Sequence, residues 1–375
     1  MYDLYGKLIG NLSNYLYTYI LIILLVAGGI YFTVRTKFVQ FRYLKESLKV
    51  VLAPSEDDKA ISSFQALMVS TASRVGTGNI AGVSTAICLG GVGSLFWMWL
   101  TALLGMSTAF VEGTLAQIYK RRSDDGGCYG GPSYYIDQAT GKHWLGILFA
   151  VFMILTYMVG FNLVASFNIA DAFRVIPAYS QNENLAKWII GGVLAVLFFV
   201  CISGGGKQIA GITEKIVPFM GFFYIAVALF VIVTHINLLP GVFAEIFRSA
   251  FDVKAIFGGF TGSAVMLGIK RGLFSCEAGV GAAACAAGSA GVSHPVKQGL
   301  VQVLSVFLDT CMICTATAML LLCSGVEPQA DMAGMAYVQA AMNSTLGKFG
   351  VVFITVSLFL FAFTTLLGSF YYAVS

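Results

Sequence analysis

The chain has 375 residues, of which 58% are hydrophobic, 14% aromatic and only 11% charged, and its formal net charge is +4; its mean hydropathy is +0.83. A soluble domain carries about 25% charged residues, and a protein of this size must turn much of its surface to water. The composition therefore excludes a cytosolic enzyme, a secreted disulfide scaffold, a nucleic-acid binder and a disordered chain, and leaves an all-α polytopic membrane protein.

A bilayer core takes about 20 apolar residues as helix. On that ruler the chain reads as nine spans, near 16–34, 63–89, 93–118, 143–171, 187–204, 215–238, 259–286, 297–323 and 348–372. The first is not a signal peptide: no basic stretch precedes it, its apolar run is long, and basic residues follow at once. Lys and Arg in the connecting segments set the orientation. Arg35 to Lys59, Lys120 to Lys142, Lys207, Lys215 and Lys297 put 13 basic residues on one face. Lys7, Arg174, Lys187, Arg248, Lys254 and Lys348 put 6 on the other. The N-terminus is expected outside and residues 35–62 inside, where FRYLKESLKVVL has the spacing of a helix lying along the membrane. Residues 331–346 read as a short amphipathic helix outside. The eight cysteines fall mostly in apolar segments and read as small packable core residues, Cys311 and Cys314 included. His143, His235 and His294 have no metal partner at ligand spacing and read as interface residues.

Two spans are unusual. Residues 63–89 carry Ser70, Thr71, Ser73, Arg74, Gly76, Thr77, Gly78 and Asn79 at their centre. Residues 259–286 carry Lys270, Arg271, Ser275, Glu277, Gly279 and Gly281. Glycine weakens a helix by roughly 1 kcal/mol. Backbone leaves helical geometry at membrane depth only where it is buried in protein or lines a wet cavity. A pair of Gly-interrupted spans in corresponding halves points to a transporter binding site. Four intact spans lie between them, and the charge distribution has them entering from opposite faces. This predicts an inverted repeat of five helices per unit within a single transmembrane domain, 1–375. A peripheral segment covers 1–62, a first repeat 63–238 and a partial second repeat 239–375. A broken helix frees N–H groups on one half, which suit a carboxylate, and C=O groups on the other, which suit a hard cation.

Arg74, Glu112, Lys270, Arg271, Glu277 and Asp309 lie inside spans, so each is a functional candidate. One reading is mutual pairing. The other has Glu277 accepting from the freed N–H groups of its own break, Asp309 facing the pocket or pairing with Arg74, and Glu112 gating the inner side.

The motifs SSFQALMVSTASRVGTGNIAGVSTAI, GGVGSLFWMW, GGPSYYID, GLFSCEAGVGAA, HPVKQGLVQV and FAFTTLLG are spread over residues 63–368. Together they resemble the alanine or glycine:cation symporters, also called sodium:alanine symporters. That family is similar in architecture to the LeuT-type amino acid transporters, a 5+5 inverted repeat with an extra N-terminal helix here. The LeuT-type plan has two further helices after the eighth core span, which residues up to Ser375 do not contain. The resemblance implies that Thr77 and Gly78 offer backbone N–H groups to a substrate carboxylate. It also implies that carbonyls of Ala72, Val75 and Phe361, with the hydroxyls of Thr364 and Thr365, surround one sodium. Phe274 and Ser275 would line the pocket, and Gly279 and Gly281 would permit the break. Asn79 and Ser275 could serve a second cation, and Tyr157 and Phe161 could close the pocket from the side. The chain departs from the family pattern at Ser369, Cys276, Ala165 and Phe167. Ser369 would admit a substrate larger than alanine, such as glutamine, and Phe167 would remove space.

The sequence thus points to a multi-pass cell-membrane protein that moves a small neutral amino acid with Na⁺, without a cofactor or nucleic-acid partner. Proton coupling is the nearest rival. A channel would want a continuous polar stripe along several helices, and a membrane-embedded enzyme would want a nucleophile or metal constellation.

Overall fold

The computed structural model describes residues 2–54, 59–124, 127–175, 179, 182–252 and 264–375. Lys254 and residues 259–263, the expected entry to the seventh span, lie outside them. In chain order the helices are α1 (Ile9–Arg35), α2 (Val39–Arg42), α3 (Leu44–Leu52), α4 (Ser63–Arg74), α5 (Gly78–Gly90), α6 (Ser94–Ile118) and α7 (Pro132–Thr140). There follow α8 (His143–Val175), α9 (Glu183–Ile202), α10 (Gly205–Thr234), α11 (Leu239–Ala250), α12 (Ala264–Cys276), α13 (Ala282–Gly288), α14 (Pro295–Leu322) and α15 (Met335–Val374). A two-residue antiparallel ribbon, β1 (Arg121–Arg122) with β2 (Cys128–Tyr129), precedes α7. Among the described residues seven helices are long and apolar enough to cross a membrane. The pairs α4–α5 and α12–α13 are the two interrupted rods.

Local chemistry sets the boundaries. Ser62 and Gln65 form a capping box that starts α4. Proline stands in the first turn of α7, α11 and α14, where its missing N–H is harmless. Gly141, at φ +67°, ends α7 in the left-handed region. Gly347 (φ +60°, ψ −148°) breaks the helical path inside α15. It thereby separates the expected outer amphipathic helix from the last span.

Burial sorts the helices into layers. Only 6% of the most apolar stretch of α9 is buried, against 72% for α14. The first therefore faces the lipid and the second runs through the core. At the end expected inside, the two rods are joined directly: Gly291 N–H donates to Ile61 O at 3.0 Å. Gln117 Nε2 and Lys120 Nζ, from the end of α6, both donate to Ala290 O. At the opposite end Ser84 Oγ donates to Gly334 O at 2.7 Å. There Glu183 bridges Lys187 at 2.7 Å and Arg174 at 2.9 Å.

Candidate functional site

The first rod leaves helical geometry at Val75 (φ −75°, ψ +85°) and resumes at Gly78 with a wide π turn. The Oγ1 of Thr365 stands where a Cβ of residue 76 would be, so any side chain at Gly76 would have to displace that hydroxyl. The second rod is interrupted over 277–281, where Glu277, Gly279 and Gly281 have φ of +47°, +92° and +88°. A non-glycine residue in this region is held there by its surroundings.

Each break has a side chain on one freed N–H. Asn79 Oδ1 accepts from Gly76 N–H at 3.0 Å, and Glu112 Oε2 from Gly279 N–H at 3.2 Å. This corrects the expectation for Glu277. Its left-handed backbone leaves its carboxylate accepting from Ser73 Oγ of α4, at 3.3 Å, while Glu112 stands on α6 beside the exposed N–H. Glu112 is thereby part of the second break.

Asp309 joins the rods. Its Oδ1 accepts from Asn79 Nδ2 at 2.6 Å, and its Oδ2 from Ser275 Oγ at 2.8 Å and Thr310 Oγ1 at 2.6 Å. All four residues are buried. Asp309 forms no ion pair with Arg74 among the described residues; its oxygens accept from Asn79, Ser275 and Thr310. Arg74 instead donates from Nη1 to Gln302 Oε1 at 3.2 Å, and its Nε and Nη2 meet no acceptor among the described residues.

Gln302 belongs to a polar ladder that the sequence reading passed over. Gln298 Nε2 donates to Ser63 Oγ at 3.1 Å, and Gln302 Nε2 to Ser70 Oγ at 3.0 Å. Ser305 Oγ lies 3.3 Å from Thr71 Oγ1. With Arg74 and Asp309, these rungs fasten α14 along the length of α4 and into the first break. The signal was the spacing 298, 302, 305, 309 inside an apolar span, which is one face of a helix. Each such bond within a bilayer contributes about 0.6 kcal/mol on average.

A narrow cavity of about 20 Å³ lies where the breaks meet, lined by Ser73, Arg74, Gly76, Thr77, Gly78, Phe161, Val164, Ala165, Phe274, Glu277 and Thr365. A wider hollow of about 300 Å³ adjoins it and shares Thr77, Gly78, Val164 and Phe274. Phe274 stacks on Phe161 (5.5 Å, 10°) and Phe161 on Tyr157 (4.9 Å, 4°). Tyr157 therefore backs the wall without forming it. Asn79, Ser275, Cys276, Gly279 and Ser369 do not line the narrow cavity. Asn79 and Ser275 are turned to Asp309, and Gly279 faces Leu25, Thr108 and Glu112. Cys276 packs toward α6, near Gly105. Ser369 is fully buried, its hydroxyl without a partner among the described residues. Phe167 is exposed and lines the wider hollow, so it takes no space from the narrow one.

Beside the first break, Thr365 Oγ1 lies 3.2 Å from Ala72 O and 3.0 Å from Phe361 O. Thr364 Oγ1 lies 3.0 Å from the same Phe361 carbonyl. Both hydroxyls thus donate back to a carbonyl of their own helix, as helical threonines do, and Thr365 also reaches across to Ala72 O. Val75 packs into the main apolar cluster.

Residues 2–375 match the sequence profile of the sodium:alanine symporter family. The chain is 44% identical over 372 residues to the amino-acid carrier protein AlsT of Bacillus subtilis, an alignment covering 99% of this chain and 78% of that one. It is 43% identical over 374 residues to the probable sodium/glutamine symporter GlnT of the same organism, covering 99% and 77%. It is 38% identical over 375 residues to the sodium/alanine symporter AgcS of Methanococcus maripaludis, covering 98% and 82%. Such a profile match over nearly every residue, on a chain with two interrupted membrane rods, places this multi-pass protein in the sodium:alanine symporter family.

Proposed function

We propose that the chain is a secondary symporter that couples Na⁺ to uptake of a small neutral amino acid such as alanine or glycine by alternating access. One observation carries the reading: two rods are interrupted in the same buried region and tied across their breaks through Asp309. Thr77 and Gly78, at the start of α5, line the narrow cavity, and a helix start suits a carboxylate. In this reading the carbonyls of Ala72, Val75 and Phe361 and the hydroxyls of Thr364 and Thr365 would supply the neutral oxygens that a hard monovalent cation takes; the approach of Thr365 Oγ1 to Ala72 O and Phe361 O supports it. Phe161, Phe274 and Ala165 enclose the side chain and keep it small. The four long helices or helix pairs between the rods support a LeuT-type 5+5 plan, with the N-terminus outside and the cell membrane as location.

A second reading is a glutamine carrier or a proton-coupled one. It is favoured by the names of two relatives, the probable sodium/glutamine symporter GlnT and the putative sodium/proton-dependent alanine carrier protein YrbD of Bacillus subtilis. A thermal-shift panel of amino acids on the purified protein, with Na⁺ or choline, separates these. Alanine and glycine should raise the Tm only with Na⁺. A shift equal in choline would remove sodium coupling, and a shift for glutamine alone would favour the second substrate.

A further inference from the structure

We propose that α2 and α3 form a docking surface for the headgroups of anionic phospholipids, and that a lipid held there braces the ends at which α4 and α14 begin. This surface shares no residue with the narrow cavity or the wider hollow.

Depth gives the first argument. The apolar helix α1 is long enough to cross a bilayer and ends at Arg35, so its end stands at the level of the lipid headgroups. The chain turns off it at once. Lys37 and Phe38 both take left-handed backbone, at φ +53° and +59°, which such residues adopt only where their surroundings hold them. Phe38 N–H donates to Thr33 O at 2.9 Å, and the buried Gln40 donates from Nε2 to Leu103 O of α6 at 3.3 Å. The elbow therefore keeps α2 and α3 beside the headgroup layer and prevents them from swinging into water.

Charge gives the second. Residues 35–52 carry five cations, Arg35, Lys37, Arg42, Lys45 and Lys49, and one acid, Glu46. The next acids, Glu56, Asp57 and Asp58, come after α3 has ended at Leu52. Lys49 bridges Glu46 at 2.9 Å. The other four cations are exposed and form no ion pair among the described residues. Apolar groups stand among them: Phe38, Phe41, Tyr43 and Leu48 are exposed, and Leu52 is 80% exposed. Apolar groups so close together are unfavourable against water, whereas at a bilayer surface they enter the acyl boundary while the cations meet phosphate. The excess positive charge selects an anionic headgroup over a zwitterionic one, by about fivefold in affinity per cation.

Packing gives the third. The opposite face of α3 lies inside the protein, where Ser47 and Val51 are buried. Val51 joins the apolar cluster that contains Leu67 and Met68 of α4 and Val301 and Leu304 of α14. A lipid that fixes the outer face of α3 therefore also steadies the paired starts of α4 and α14.

The test is phosphatidylglycerol binding to the purified, delipidated chain by native mass spectrometry, with melting and amide hydrogen exchange in nanodiscs. We expect phosphatidylglycerol to bind more tightly than phosphatidylcholine, and R42Q and K45Q each to weaken it about fivefold. K45R should bind as the parent does. So should K207Q/K215Q, which removes two exposed cations from another connecting segment. In nanodiscs, added phosphatidylglycerol should raise the Tm of the parent and slow exchange in residues 63–70 and 295–302. In R42Q/K45Q both effects should shrink, while its Tm in phosphatidylcholine alone stays that of the parent and shows the fold intact. Inorganic phosphate in place of the lipid should reproduce neither effect. Equal phosphatidylglycerol binding by the parent, R42Q and K45Q would overturn the proposal, as would a Tm gain that inorganic phosphate reproduces. Binding that depends on Arg42 and Lys45 with no slowing of exchange in α4 and α14 would uphold the docking surface and overturn the brace.

Discussion

Gln302 holds two residues of the first interrupted rod at once: its Nε2 donates to Ser70 Oγ at 3.0 Å and its Oε1 accepts from Arg74 Nη1 at 3.2 Å. One amide thus fixes a buried guanidinium and a buried hydroxyl one helical turn apart. Q302L removes both bonds and leaves Arg74 with three unpartnered nitrogens. Orphaning a buried polar group costs about 1–3 kcal/mol, more when it is charged. We expect a clear fall in Tm with Q302L and a smaller one with Q302E, whose carboxylate still accepts from Arg74.

The ladder along α14 implies that α4 and α14 move as one body during transport. A disulfide between S63C and Q298C, at the innermost rung, should therefore leave alanine uptake near the reduced level. Loss of uptake on oxidation, restored by a thiol, would show that these helices slide past one another.

Thr365 places one hydroxyl between carbonyls of both participating helices. T365A should raise the Na⁺ concentration for half-maximal uptake at least tenfold, and T365S should restore it, since only the hydroxyl is required. G76A should impair transport severely, because its methyl would occupy the site of Thr365 Oγ1. Sodium titration of uptake in proteoliposomes checks both.

Glu112 accepts from the Gly279 N–H at 3.2 Å. E112Q keeps an oxygen acceptor and should fold with a Tm near that of the parent. E112A leaves the N–H unpartnered in a partly buried break and should be destabilised by up to about 1 kcal/mol. Equal melting of the two variants would show that the bond is not what holds the break.

Phe161 separates Tyr157 from Phe274 in a stack of three rings. Truncation by F161A enlarges the narrow cavity on its Ala165 side. We expect glutamine to compete with alanine uptake about tenfold more strongly in this variant. No change in the competition profile would place the size filter elsewhere.

Membrane class and the position of each rod were legible in the chain because a bilayer imposes a length and a polarity on every span. Glycines beside Arg74 and Glu277 could not sit in an ordinary span, so both interruptions could be read from residue types alone. Gly347 was not marked as a kink, yet the change from amphipathic to apolar sequence around it located the boundary it makes. Tertiary structure alone decided which buried group meets which. Sequence spacing put Glu277 beside its own break, but the nearest free N–H there faces Glu112, which is 167 positions away in the chain. Asp309 was a lone acid on an apolar span until packing brought Asn79 and Ser275 to it. The periodicity of Gln298, Gln302, Ser305 and Asp309 defines a helix face, and only the fold shows that this face meets α4. Burial in lipid is a local property that each residue carries by itself, whereas the partner of a buried polar group depends on helices distant in sequence, which no single segment encodes.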